Sequence, residues 1–450
     1  MTRSAVWHRM KWSAVSGVAC LVTLVVMDWG LGLFSSYAWL GVPHLPALHK
    51  YFRSDPTIGF DIQEDFPMTT VTLRGDPVTY PIWSNSLGCF DRPYHGESDY
   101  VLLVGDSYSH AYAPFEEKWG TRLESILDRR LVKCAVMGYG TRQELDKARR
   151  VIARIGRPPK LIVVGYFVND LYEDYIFPQA TVFHGSLVGM ASVRDDDPDG
   201  TVVRRDPAEL SERERRWRRY CVRDEPVRPW TQPLTCWLTR HSILYNLAVV
   251  HAGRWMGTES ATARAGDDGG ERQDGRPIDP VVLAFEPIAG RRWLGSAWTR
   301  HLDNLRAFER LAKEQSAGLL VVLIPAREQV YPFFRAKRGL SATLDYDQPA
   351  RLIAEALRGE HVEVLDLAPV FRRYADPSPD KRGFDAATDL YWRVDNHLSP
   401  RGESLVALAV ARHLLRSRMV EIPAAGAKLR LVEESMARLA TDTRASRPAP

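Results

Sequence analysis

Short apolar runs ending on polar or glycine-bearing turns alternate along the chain with longer stretches of helical periodicity. Tyr100–Val104 is continuously apolar and stops on Gly105-Asp106-Ser107, and Leu161–Val168 stops on Asn169-Asp170. Leu319–Ile324 and Val362–Leu367 are further runs of this kind. Their length, β-branched content and bounding turns predict strands buried in a sheet. Helical spacing predicts helices over Gln143–Ile155, Trp293–Ser316, Tyr346–Gly359 and Glu403–Arg416. Strand, turn and helix in this repeated order imply an α/β fold with a central parallel sheet between helix layers. Tyr51–Tyr80 alternates apolar and polar residues and predicts a small β-rich lead-in. Lys428–Ala440 predicts a short terminal helix, and Thr441–Pro450 a disordered tail.

The N-terminus carries a different pattern. Trp12–Phe34 contains a single charge, Asp28, and follows Arg3, Arg9 and Lys11. About twenty apolar residues cross a bilayer as a helix. Basic residues before such a segment predict an N-in, single-pass anchor with the bulk of the chain outside the cytoplasm, periplasmic or extracellular. The alternative is a cleaved signal peptide, since Ser36-Tyr37-Ala38 has the small-x-small form of a cleavage site. Either reading exports the chain. The expected organisation is a signal-anchor and linker over 1–50, the β-rich lead-in over 51–84, and the first part of the α/β core over 85–185. A long insertion with a mobile loop follows over 186–292, then the second part of the core over 293–420, then a C-terminal helix and tail over 421–450.

Composition narrows the classes. With 450 residues the chain has room for two to three domains and a large core. The net charge of +4 is small for this length and does not point to nucleic acid. No zinc-finger spacing, phosphate loop or dinucleotide fingerprint is present, so neither a metal nor a cofactor is expected. Arg213, Arg215, Arg216, Arg218 and Arg219 form a basic cluster that either grips an anionic polysaccharide or lipid headgroups or, interleaved with Glu212, Glu214 and Trp217, is a solvated helix face. Cys221 and Cys236 bracket a Pro-rich, charged loop and either pair or remain free thiols; Cys89 and Cys134 flank the expected core, and Cys20 lies in the apolar segment.

The polar ends of the strands hold the candidate chemistry. Ser107 falls at the carboxyl end of the first core strand, where open α/β sheets place their ligand sites. Gly138 lies in a turn opening the Gln143–Ile155 helix, where a backbone N–H can face an anion. Asn169 brings an amide to the end of the Leu161 strand. Asp395 and His397 stand two residues apart within Tyr391–Gly402. In extended backbone that spacing puts both on one side, about 6.6 Å apart along the chain. Each feature alone also has an ordinary structural explanation as a turn, cap or strand end.

In this order, the four segments resemble the SGNH (GDSL-type) hydrolase superfamily, which has a flavodoxin-like three-layer fold. Ser84–Asp91 and Leu320–Tyr331 are similar to segments of its membrane-linked bacterial branch. The resemblance implies Ser107 as nucleophile, His397 as general base and then general acid, and Asp395 as the carboxylate orienting the imidazole. It also implies an oxyanion hole made of the Ser107 and Gly138 N–H groups and the Asn169 amide. The commonest spacing in the superfamily is Asp-x-x-His, but Val394 stands three residues before His397. The Asp-x-His form resembles alginate-type O-acetyltransferase domains. Tyr108 follows the nucleophile where the superfamily usually has Leu, and no Gly-x-Ser-x-Gly elbow surrounds Ser107.

The expected activity is ester hydrolysis on an O-acyl or O-acetyl group of an envelope carbohydrate or lipid. The first alternative is a polysaccharide O-acetyltransferase using the same triad, which needs a membrane partner to deliver the acyl donor. The second is a noncatalytic glycan-binding or assembly module.

Overall fold

The computed structural model describes residues 3–34, 51–72, 78–183, 186–208, 238, 242, 244–245, 278–359, 362–376, 388–393 and 395–445. They divide into two compact units, one of 1–49 with 206–270, the other of 50–205 with 271–450.

In the first unit, α1 spans Arg3–Phe34. Val15, Val18, Leu21, Val22 and Leu24–Met27 are exposed on it. The apolar stretch with described side chains stops at Asp28, whose carboxylate accepts the Leu244 N–H at 2.9 Å. Among the described residues no helix is long and apolar enough to cross a membrane, so the expected membrane helix over Trp12–Phe34 is not found. The linker 35–50, the basic cluster, Cys221 and Cys236, and all but the last three residues of the expected mobile loop Gly257–Pro280 lie outside the described residues.

The second unit begins with two antiparallel hairpins, β1 (Phe52–Asp55) with β2 (Gly59–Ile62) and β3 (Thr69–Thr72) with β4 (Thr79–Ile82). Phe52, Phe60, Ile62, Tyr80 and Ile82 are buried, with Pro81 exposed between the last two; the alternation fails at Asp61, which is buried between Phe60 and Ile62 and paired with Lys147. The core then runs β5 (Val101–Gly105), the single turn α2 (Ser107–His110), α3 (Trp119–Leu127), β6 (Leu131–Lys133), α4 (Thr141–Ile155), β7 (Leu161–Tyr166) and α5 (Asp170–Ile176). A hairpin of β8 (Ala180–Phe183) and β9 (Ser186–Gly189) follows. After 271 come α6 (Leu294–Glu314), β10 (Gly318–Leu323), α7 (Gln348–Ala356), β11 (Val362–Asp366), α8 (Ala368–Tyr374), α9 (Pro400–Ser417) and α10 (Ala425–Ala445).

The central sheet has the order β11-β10-β7-β5-β6 and every pair is parallel. Counted along the chain this is 2-1-3-4-5, the flavodoxin-like order, whose connection changes direction between its first and third strands. Those strands are β5 and β7. Both are buried along their whole length, which is why they read as unbroken apolar runs rather than alternating ones. Helices α4, α5 and α6 pack together, as do α3, α9 and α10, giving the helix layers of an α/β architecture.

The expected helices and strands appear with their ends shifted by a few residues. Helix α9 starts earlier than Glu403 because Ser399 caps it, its hydroxyl accepting the Gly402 N–H at 3.2 Å, with Pro400 at the first helical position. Part of the expected tail is ordered, since α10 continues to Ala445. Strand β6 and the helix before it are absent from the sequence reading; three residues carry too little periodicity to announce a strand.

Candidate active site

The carboxyl ends of β5 and β7 flank the point where the sheet order reverses. Gly105 pairs with Gly165 across these strands. Close approach explains both glycines: a Cβ on Gly105 would meet the Gly165 carbonyl oxygen at 2.7 Å and the Ser109 hydroxyl at 2.5 Å. Asp106 caps the turn that follows, accepting the Tyr108 N–H at 2.9 Å. Ser107 thus opens α2 at the strand end, 9% exposed. Burial pushes the Asp106 carboxyl up to about 6, against the hydrogen bond from the Tyr108 N–H and the charge of His397. Asp106 is 3.4 Å from the Ser107 hydroxyl and faces the Ser107 N–H too. It braces the turn that carries Ser107.

The Asp395 and His397 loop comes from the other end of the chain, 290 residues from Ser107. Tyr391 and Leu398 form an antiparallel bridge, and Trp392 N–H donates to the His397 carbonyl at 2.9 Å, so the loop between them is closed like a small hairpin. Asp395 sits in the bend. One of its oxygens accepts the His397 backbone N–H at 2.8 Å and also meets Nδ1 of the same imidazole. With the Nδ1–H donated to the Asp395 carboxylate, Nε2 is the acceptor, and the Ser107 hydroxyl donates to it at 2.7 Å. Burial alone would raise Asp395, but the charge and hydrogen bonds of His397 outweigh it and hold the carboxyl below its ordinary value. Asp395 is therefore ionised wherever the imidazole is to be held in this tautomer.

Asp389, the other carboxylate upstream, uses its backbone carbonyl to accept the Ser399 hydroxyl and belongs to the helix α9 cap. The shortened spacing works because a single Asp395 oxygen serves both the backbone and the ring of His397.

Gly138 and Asn169 lie on the same edge of the sheet. Val136 N–H continues the β6 alignment by donating to the Gly105 carbonyl at 2.9 Å, which carries Gly138 past the end of β5. Gly138 has φ +76, a left-handed conformation that favours glycine. Its carbonyl accepts the Gln179 amide at 2.5 Å. Among the described residues its N–H has no acceptor. Asn169 precedes α5, and its backbone carbonyl accepts the Tyr172 and Glu173 N–H groups. Its side-chain oxygen is buried without a partner. The orphaned Asn169 atom is thus an acceptor, whereas at Gly138 it is the backbone N–H, a donor, that is uncommitted among the described residues. Among the described residues no group of His, Cys, Asp and Glu side chains could hold a metal ion.

Three aromatic contacts were not foreseen. Tyr108 stacks on Phe167 with ring centroids 3.6 Å apart and lies 4.7 Å from the His397 ring. Tyr112 lies 4.1 Å from the same ring. The signal was present, since Tyr108 departs from the usual residue after the nucleophile, but its contact is with a residue far along the chain. A disulfide also joins Cys89 to Cys134.

Residues 295–440 match the family described as ALGX: SGNH hydrolase-like domain, acetyltransferase AlgX. The matched stretch holds Asp395 and His397 but not Ser107, Gly138 or Asn169. It bears out the SGNH resemblance and its alginate-type leaning. No curated protein matches the chain. The parallel α/β sheet and this match describe an SGNH-type acyl-modifying enzyme, of the esterase or O-acetyltransferase kind.

Proposed function

We propose that the protein hydrolyses an ester of an envelope carbohydrate or lipid, with an O-acyl or O-acetyl group as the part removed, through a Ser107 acyl-enzyme. The observation that carries this reading is the continuous chain of contacts from Asp395 through His397 to the Ser107 hydroxyl. Ser107 Oγ attacks the acyl carbonyl carbon while His397 Nε2 takes its proton. The negative charge reaching the carbonyl oxygen is met by the Ser107 and Gly138 N–H groups and the Asn169 amide. The C–O bond to the leaving alcohol breaks, and His397 returns the proton to that oxygen. Water, deprotonated by the same imidazole, then attacks the acyl carbon, the bond from that carbon to Ser107 Oγ breaks, and His397 returns the proton to Oγ as the acid leaves. Asp395 stabilises the imidazolium at both stages.

A second reading, transfer of the acyl group to a glycan hydroxyl, is favoured by the description of the matching family as an acetyltransferase. It differs only in the second acceptor and requires a membrane partner to bring the acyl donor.

The same proposal puts the protein outside the cytoplasm, tethered by its N-terminal segment. The Cys89–Cys134 disulfide supports an oxidising compartment, as Arg3, Arg9 and Lys11 ahead of the apolar stretch that starts at Trp12 support export. The test is turnover of p-nitrophenyl acetate, followed by mass spectrometry of acetate in solvent and in added unacetylated glycans. Free acetate regardless of glycan supports the hydrolase. Glycan acetylation that outruns acetate release supports the transferase. Tight glycan binding with neither product would leave the noncatalytic module.

A further inference from the structure

His397 is held by its two nitrogens alone as far as hydrogen bonds go, with Nδ1 on Asp395 and Nε2 on Ser107. These contacts lie at opposite edges of the ring. With the Cβ–Cγ bond they set the plane of the ring but do little to stiffen it against out-of-plane motion. Groups against its faces limit that motion. Two tyrosine rings do so, Tyr112 at a centroid distance of 4.1 Å with an interplanar angle of 32° and Tyr108 at 4.7 Å with 37°.

Both residues are themselves anchored, Tyr108 through its ring and Tyr112 through its main chain. The Tyr108 hydroxyl donates to the Asn396 carbonyl at 2.8 Å, and its ring is stacked on Phe167. The Tyr112 carbonyl accepts the Trp392 indole N–H at 3.1 Å. Between them, Ala111 ends α2 with its N–H on the Ser107 carbonyl at 3.0 Å and adopts φ +67, ψ 142, a conformation that an L-residue rarely takes. That turn sends the chain out of α2 so that Tyr112 meets the His397 loop. Ser107, Tyr108, Ala111 and Tyr112 therefore form one segment that carries the nucleophile and packs against its base.

We propose that Tyr108 and Tyr112 are positioning residues that hold the His397 imidazole in line between Asp395 and Ser107. Neither touches the reacting atoms, so their action is entirely through His397, and the idea rests on the catalytic reading given above. The π faces also favour the imidazolium that forms when Ser107 is deprotonated.

The test is a set of variants in the full chain. Tyr112→Leu removes the ring at a partly exposed position, and Tyr112→Phe keeps it. Tyr112→Leu is expected to lower kcat by about three- to tenfold, the rate equivalent of an aromatic contact, with KM unchanged. Tyr112→Phe restores the rate. Tyr108→Leu behaves as Tyr112→Leu provided its thermal unfolding shows that it is folded. In an Asp395→Asn background the Tyr112→Leu loss shrinks, because both changes act through the same ring. A Tyr112→Leu variant with the wild-type kcat, or a loss of equal size in the Asp395→Asn background, overturns the proposal. If the wild type shows no Ser107-dependent turnover, the catalytic reading fails separately. The rate at which a fluorophosphonate labels Ser107 then still reads the base: slower labelling in Tyr112→Leu, restored in Tyr112→Phe, supports the proposal, and equal rates overturn it.

Discussion

Asp395 is the residue whose role the local geometry defines most narrowly. Its carboxylate meets the backbone and the ring of His397, while Asp389 is tied into the helix α9 cap. Asp395→Asn keeps the shape but removes the anion that selects the tautomer. Turnover on a small ester should fall on the order of 10²–10⁴-fold, and Asp389→Asn should leave it near wild type. A larger loss in the Asp389 variant would exchange the two assignments. Asn169→Ala removes a single proposed oxyanion donor and should lower kcat by about 10²–10³-fold with little change in KM. That Ser107 and Asn169 stand at strand ends was legible in the sequence because the ends of apolar runs announce themselves locally. Tyr112 was not, because its neighbour His397 lies in a segment that only the closed sheet brings near it.

Among the elements, α3 and α9 illustrate what local pattern misses. Glu403, buried in the first turn of α9, accepts the Trp119 N–H at the start of α3 at 2.7 Å. Burial pushes its carboxyl from 4.5 up to about 8, against the hydrogen bond from Trp119. A raised carboxyl keeps its proton in the folded chain after the unfolded chain has lost it. The stabilisation is full below the unfolded value of 4.5 and is lost as pH rises toward about 8. Glu403→Gln should therefore gain stability relative to wild type as pH increases through that window, measured by urea unfolding at several pH values. A constant difference between the two proteins would show that Glu403 does not titrate there. The apolar periodicity of Glu403–Arg416 located the helix but carried no information about its partner. Strand β6 is likewise invisible alone; its pairing with β5 defines it.

At the scale of the whole molecule, the parallel sheet was readable from the alternation of buried strands and helices, and its 2-1-3-4-5 order puts Ser107 and Asn169 after the carboxyl ends of adjacent strands. The Cys89–Cys134 bond was not readable, since five cysteines allow several pairings and these two are 45 residues apart. Closing a loop of that length contributes about 4 kcal/mol in the chain-entropy model. Reduction, or the Cys89→Ser/Cys134→Ser pair, should lower the unfolding temperature by several degrees, on the order expected for a loss of that size. An unchanged temperature would mean that the pair is not bonded in the folded protein. For the N-terminus, carbonate extraction should leave the chain with the membranes; release with a new N-terminus near Trp39 would establish cleavage.

The central claim is that Ser107 carries the acyl group, with His397 as its base. Its most direct test is mass spectrometry of the protein quenched in acid during turnover of p-nitrophenyl acetate. The account predicts an acetyl adduct on the peptide containing Ser107, absent from Ser107→Ala and formed far more slowly in His397→Ala. An adduct on another residue, or turnover that survives Ser107→Ala in a folded protein, would contradict it.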